Sequence, residues 1–365
     1  MNNNKIKVGI TSGDINGIGC EVIIKSLCDN RVCEMFTPVI YGSGKVLAFH
    51  RRYVNCEQLV YNQVCSADEV RDGRINLVNC VDDAVRVEIG LSTEVAGEAS
   101  LAALELAVAD LKRGAIDVLV TAPINKKNIQ CDKFHFNGHT EFLADKLGGE
   151  PLMIMVNDVM RVGLVTVHKP ISEVASAISK ELIVDKLKLF RDSLLKDFVI
   201  REPKIAVLSL NPHSGDGGLL GSEEIEIIQP AIKEATEQGI LAFGPFAADG
   251  FFGSGAFSKY DGVLAMYHDQ GLIPFKSMSS SMSVNYTAGL PVVRTSPAHG
   301  VGYDIAGKDI ADETSMRSAI YMAIDIFRNR QMYERISANP LRKYRIESGP
   351  DVSAADLTDE TDHHN

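Results

Sequence analysis

His168, His213 and His268 each lie just beyond an apolar, strand-like run at a point where the chain turns. They occur in Val167-His168-Lys169-Pro170, in Asn211-Pro212-His213-Ser214-Gly215-Asp216 and in Tyr267-His268-Asp269-Gln270-Gly271. In open α/β sheets, ligands collect at the carboxyl ends of strands. Three imidazoles there suit Zn²⁺ or another borderline divalent ion and leave coordination positions open for substrate. The competing reading of each one alone is a hydrogen-bonded loop histidine. A second set of residues suits an anion. Gly138-His139-Thr140-Glu141 opens a helical pattern, so backbone N–H groups and the helix dipole can face a phosphate. Lys276 and Arg294 add positive charge from positions read as lying in or beside loops; each alone also reads as a surface charge, and Asn285 is equally ambiguous. Asp249 and Asp269 are acidic candidates for proton transfer, weighed against a role in capping turns.

Two glycine-rich stretches resemble phosphate loops and fail as such. Gly13-Asp14-Ile15-Asn16-Gly17-Ile18-Gly19 follows a strand and opens a helix without the GxGxxG spacing, and Tyr41-Gly42-Ser43-Gly44-Lys45 runs into Val46 where a P-loop needs Ser or Thr. The chain has 365 residues, 45% hydrophobic and 23% charged, as expected of a globular protein of one large or two ordinary domains. Its net charge of −11 argues against a nucleic-acid surface, so any anionic ligand must be met by a local basic pocket. No apolar run approaches the ~18 residues of a membrane helix. The seven cysteines form no CxxC pair, which argues against a disulfide framework and fits a reducing cytoplasm.

Short β-branched runs alternate with amphipathic helical patterns, the signature of an α/β protein with a largely parallel core sheet. Strands are expected at Ile6–Ile10, Thr37–Tyr41, Asp117–Thr121, Ile205–Leu210 and Val263–Met266. Met153–Val156 and Val162–Val167 read as an antiparallel pair. Helices are expected after Gly19, over Ala99–Lys112 with Leu101, Leu104, Val108 and Leu111 on one face, through Leu187–Phe198, and from about Glu313 to Arg328. Ser222 is expected to cap a further helix. Polar loops are expected after Met266.

Several segments, in this order, carry a resemblance: Gly9-Ile10-Thr11-Ser12-Gly13-Asp14, Val120-Thr121-Ala122-Pro123-Ile124-Asn125-Lys126, Gly138-His139-Thr140-Glu141, Leu210-Asn211-Pro212-His213, Tyr267-His268-Asp269-Gln270-Gly271 and Ser296-Pro297-Ala298-His299-Gly300. Together they span roughly residues 5 to 330, and the chain resembles the 4-hydroxythreonine-4-phosphate dehydrogenase family of pyridoxal phosphate biosynthesis. The resemblance implies a fold like isocitrate and isopropylmalate dehydrogenases, two α/β/α domains flanking a cleft: residues 1–137 with 300–345, and residues 138–299, with 346–365 a disordered acidic tail. It implies a homodimer that completes each site, NAD or NADP, and one divalent ion (Zn, Mg or Co) on His168, His213 and His268. His139, Thr140, Lys276, Asn285 and Arg294 match substrate-binding positions. Asp249, Asp269 and Lys276 are the catalytic candidates, and Gly300, Gly302 and Gly307 the cofactor-loop candidates. Ile15-Asn16 and Cys20 depart from the family's usual prolines and alanine, and Asn55–Gly73 reads as extra length.

The expected activity is NAD(P)-linked oxidation of 4-phosphohydroxy-L-threonine, followed by decarboxylation. A dehydrogenase of a four-carbon sugar acid phosphate (threonate or erythronate 4-phosphate) is the nearest alternative. A three-histidine metallohydrolase and a non-catalytic metal- or phosphate-binding protein are the readings from other classes.

Overall fold

The computed structural model describes residues 5–56, 59–82, 84–278 and 282–340. The described residues up to Arg330 form one large unit, and those from Gln331 belong to a second, short one. The expected disorder of 346–365 concerns residues outside those described.

Among the described residues, twelve strands form one sheet: β1 (Lys7–Thr11), β2 (Thr37–Gly42), β3 (Tyr61–Val64), β4 (Ile75–Asn79), β5 (Val118–Thr121), β6 (Leu152–Val156), β7 (Arg161–Leu164), β8 (Lys204–Leu208), β9 (Leu241–Phe246), β10 (Gly262–Ala265), β11 (Val284–Ala288) and β12 (Val293–Pro297). Their order is β3-β4-β2-β1-β5-β12-β11-β6-β7-β10-β8-β9. The six strands from β3 to β12 are mutually parallel, as are the four from β7 to β9. β12/β11, β11/β6 and β6/β7 are antiparallel, so the two parallel blocks run in opposite directions. This is the mixed α/β architecture that the alternating pattern predicts, including the antiparallel β6/β7 pair.

Helices cover both faces. The helix Glu94–Lys112 starts where Thr93 Oγ1 accepts from Ala96 N, and it buries Leu101, Leu104, Val108 and Leu111 against Val39, Tyr41 and Leu119 of the sheet. Gly97 permits this packing: a Cβ there would lie 1.8 Å from the Asn128 carbonyl oxygen. A second face buries Ile183, Leu187, Phe190 and Leu194 of the helix Lys180–Lys196 against Ile205, Val207 and Leu264.

The structure corrects three expectations and gives a place to the extra length of Asn55–Gly73. Residues after Met266 form not loops but the helix His268–Ser277. Its polar start and the internal Pro274 conceal a helix whose buried face is only Gly271, Leu272 and Phe275. Ser222 makes no side-chain cap; its carbonyl oxygen instead accepts from Ile225 N and Glu226 N at the start of the wide turn Glu224–Ile228. The Asn55–Gly73 region contributes the edge strand β3. Cys28 and Cys56 are paired in a disulfide, their Cα atoms 5.9 Å apart. Counting cysteines misses this because the pairing depends on where the helix Gly19–Leu27 ends, not on spacing.

Candidate active site

Four adjacent central strands, β5, β12, β11 and β6, supply the floor of a pocket of about 260 Å³. Side chains alternate faces along a strand, and register then fixes which residues share a face. Asn285 pairs with Met155 and Ser296, and Thr287 pairs with Met153. Met153, Met155, Asn285, Thr287, Arg294, Ser296 and Thr121 therefore share one side of the sheet, and all of them but Thr287 line the pocket.

Arg294 is 1% exposed at the centre of this floor. Its Nε and Nη2 donate to Thr121 Oγ1 at 3.2 and 2.6 Å, and its Nη1 donates to Thr287 Oγ1 at 3.1 Å. Those are hydroxyls of the two flanking strands, and among the described residues no carboxylate bonds the guanidinium. Burial lowers its pKa to about 9. A charge held this deep, with Glu141 near it but not bonded to it, is costly unless a ligand pairs with it.

The walls carry the remaining polar groups. His139 and Thr140 begin the helix His139–Leu147, whose first N–H groups have no side-chain cap. Burial, with Arg294 and Lys126 nearby, pushes the His139 pKa well below its ordinary value, so this imidazole is neutral. Lys276 stands in the last turn of the helix His268–Ser277 and Arg294 within β12, so neither is a loop residue. His139 Nε2, Glu141 Oε2, Asn285 Oδ1 and His299 Nε2 are buried with no hydrogen-bond partner among the described residues, and all four residues line the pocket.

His168, His213 and His268 follow β7, β8 and β10, which are parallel and leave the same sheet edge. His168 and His268 both line the pocket, their ring centroids 6.4 Å apart. His168 Nδ1 donates to Glu141 Oε1 at 3.2 Å, which leaves Nε2 to accept from Lys126 Nζ at 3.2 Å. His268 Nδ1 donates to Asp269 Oδ1 at 2.6 Å. A carboxylate on the outer nitrogen fixes the tautomer and raises the basicity of the inner one, the pattern seen behind metal-ligating histidines. The donor set therefore fits a borderline divalent ion at these two imidazoles.

His213 lines the neighbouring pocket with Asp249, Asp269, Tyr267 and Ile273. Among the described residues, no three His, Cys, Asp or Glu side chains converge into a ready metal centre. His213 sits at the start of a tight left-handed turn in which six consecutive residues, His213 to Gly218, have positive φ. Glu224, buried beneath it, accepts from Leu210 N at 2.8 Å, Asn211 N at 2.7 Å and Asn211 Nδ2 at 3.0 Å. Gln270 joins the two strand ends: its Oε1 accepts from Met266 N, and its Nε2 donates to Ser209 O.

Of the loop glycines, Gly300 borders the pocket, whereas Gly302 and Gly307 have positive φ and pack against Ile18 and Ile89. Tyr303 between them donates to the buried Asp14 Oδ2 at 2.7 Å, which ties this loop to the end of β1. Sequence reasoning assigned no role to Lys126, Glu141 or His299. All three stand in the short segments that carry the family resemblance, and that position was the available clue.

Residues 34–323 match the family described as pyridoxal phosphate biosynthetic protein PdxA. A 4-hydroxythreonine-4-phosphate dehydrogenase of Bacteroides thetaiotaomicron is 55% identical over 96% of this chain and 97% of its own length. A protein of Cutibacterium acnes, provisionally named a D-threonate 4-phosphate dehydrogenase, is 37% identical over 88% of this chain and 94% of its own. The crystal structure of a 4-hydroxythreonine-4-phosphate dehydrogenase from Klebsiella pneumoniae superposes with a TM-score of 0.77 at 30% identity, covering 90% of this chain and 99% of that one.

Proposed function

The chain belongs to the pyridoxal phosphate biosynthetic protein PdxA family, and from that premise we propose that it oxidises 4-phosphohydroxy-L-threonine to 2-amino-3-oxo-4-phosphooxybutanoate with NAD or NADP. The product then loses CO₂ to give 3-amino-2-oxopropyl phosphate. Membership makes it an oxidoreductase, which sets the metallohydrolase and non-catalytic readings aside. The observation that carries the substrate class is Arg294, a buried cation with hydroxyl partners and no carboxylate.

In this reading Arg294, Lys276 and the N–H groups at His139 and Thr140 hold the phosphate and carboxylate ends, and Asn285 orients the middle of the substrate. His168, His213 and His268 would hold a divalent ion (Zn²⁺, Mg²⁺ or Co²⁺), which supplies Lewis acidity at the reacting hydroxyl. Nicotinamide supplies the hydride acceptor, with Gly300, Gly302 and Gly307 on its side of the site. Asp249 and Asp269 are the groups able to take the hydroxyl proton, and Lys276 can return one to the carbon that loses CO₂. His213, Asp249 and Asp269 stand in a pocket beside the first, which supports a homodimer in which a second copy completes the set. Two α/β halves flanking a cleft, 1–137 with 300–345 and 138–299, belong to the same reading. A cytoplasmic setting, where phosphorylated metabolites and nicotinamide dinucleotides are held, belongs to the same reading.

The test is reduced-nicotinamide absorbance with purified protein, 4-phosphohydroxy-L-threonine, NAD or NADP and a divalent metal, repeated after chelation. Metal-dependent turnover is the expected result. Turnover of D-threonate 4-phosphate alone would move the assignment to the sugar acid phosphates, the second reading favoured by the Cutibacterium relative.

A further inference from the structure

We infer that Glu141 selects the substrate by the charge of its C2 substituent, its unpartnered Oε2 accepting from the ammonium of an amino acid phosphate and discriminating against the hydroxyl of a sugar acid phosphate. This rests on the dehydrogenase reading above and narrows it. Among the described residues that line the pocket, Glu141 is the one carboxylate, facing Lys126, Lys276 and Arg294. Its Oε1 is engaged by His168 Nδ1, whereas Oε2 is buried without a partner.

Charge matching decides between substrates. A phosphate of about −1.5 to −2 and a carboxylate of −1 meet three cations. A sugar acid phosphate offers no positive group to the fourth, negative member of the pocket. An amino acid phosphate does. A hydroxyl donating to a carboxylate is already charge-assisted, and an ammonium adds the attraction between two opposite full charges. A hydroxyl still satisfies Oε2 in part, so the expected discrimination is graded rather than absolute.

Glu141→Gln keeps the shape and an oxygen for His168 while removing the charge. The experiment compares kcat/KM for 4-phosphohydroxy-L-threonine and D-threonate 4-phosphate in wild type and E141Q. Affinity for each phosphate is also measured by calorimetry on metal-loaded protein without nicotinamide. The expected result is a fall in the preference for the amino acid phosphate of roughly ten- to a hundredfold, in both turnover and binding, with Glu141→Asp retaining part of it. Equal losses for both substrates would assign Glu141 only to holding His168 and overturn the inference. If wild type oxidises the amino acid phosphate and E141Q keeps the same ratio, this inference alone fails. A wild type that binds and oxidises D-threonate 4-phosphate in preference sinks the substrate reading with it.

Discussion

At the scale of single residues, Arg294 separates stability from function. Its guanidinium is buried with two threonine hydroxyls as partners, an arrangement that costs folding free energy and is useful only when an anion arrives. Arg294→Met is expected to leave the melting temperature of ligand-free protein unchanged or higher while lowering kcat/KM at least a hundredfold. A melting temperature that falls together with activity would make Arg294 structural. The buried histidines set a pH dependence. Burial lowers the pKa of both His50 and His139. Each is neutral when folded and free to take a proton near its ordinary value of about 6.5 once unfolded, so the unfolded chain binds more protons below that pH and stability falls as pH falls. The slope is at most about 1.4 kcal/mol per pH unit per histidine. Urea unfolding between pH 7 and 5.5 is expected to show it, and His50→Gln to reduce it; an unchanged slope would remove His50 as a cause. The strand-end positions of the three histidines were legible in sequence, because each follows an apolar run that stops at a turn. The setting of Arg294 was not, since nothing local distinguishes a loop arginine from one in a central strand whose neighbours arrive from distant positions.

Secondary-structure elements carry these groups with unequal legibility. β1, β2, β5 and the β6/β7 pair were readable because apolar β-branched runs bounded by turns fit little else. The helix His268–Ser277 was not, although it bears His268, Asp269 and Lys276 together. Its close approach to the sheet uses Gly271, where a Cβ would lie 2.8 Å from Val162 Cγ1, and tertiary contact replaces helical periodicity. Equally unreadable was the left-handed turn after Pro212. Non-glycine residues in that region cost roughly 1–2 kcal/mol each, and His213, Ser214 and Asp216 all occupy it. Glu224 and the Leu220 N to Gly215 O bond hold it in place. Gly215→Ala adds a Cβ at φ +78 that would meet Glu224 Oε2 at 2.7 Å and the Gly221 carbonyl oxygen at 2.8 Å. The expected cost is roughly 2–4 kcal/mol, from left-handed strain and overpacking together. Denaturant unfolding measures that cost. Equilibrium dialysis measures a parallel loss of zinc affinity, and a variant with full zinc affinity would detach the turn from His213.

At the scale of the whole molecule, the proposed function requires His213, Asp249 and Asp269 to serve the pocket that holds Arg294. The chain places His168 and His268 in that pocket and His213 in the one beside it. The rim of the second pocket and the turn after it expose large apolar side chains: Ile273 is 63% exposed, Leu219 79%, and Leu220 and Ile225 about half. Clustered apolar exposure of this kind marks an association surface. A twofold copy meeting the chain there would bury these side chains and bring one copy's His213 side toward the other's pocket, as a symmetric dimer permits. Replacing Ile273 and Leu219 together with Glu places charges where that surface would become dry. Sedimentation is then expected to show a monomer that retains its circular dichroism spectrum. That monomer should lose nicotinamide reduction by more than a hundredfold, because the donor set is split. It should still bind inorganic phosphate through Arg294, which needs only its own strands. A monomer that turns over at the wild-type rate would place all three histidines within one chain's reach and end the shared-site reading, whereas a double variant that remains dimeric would move the interface to another face.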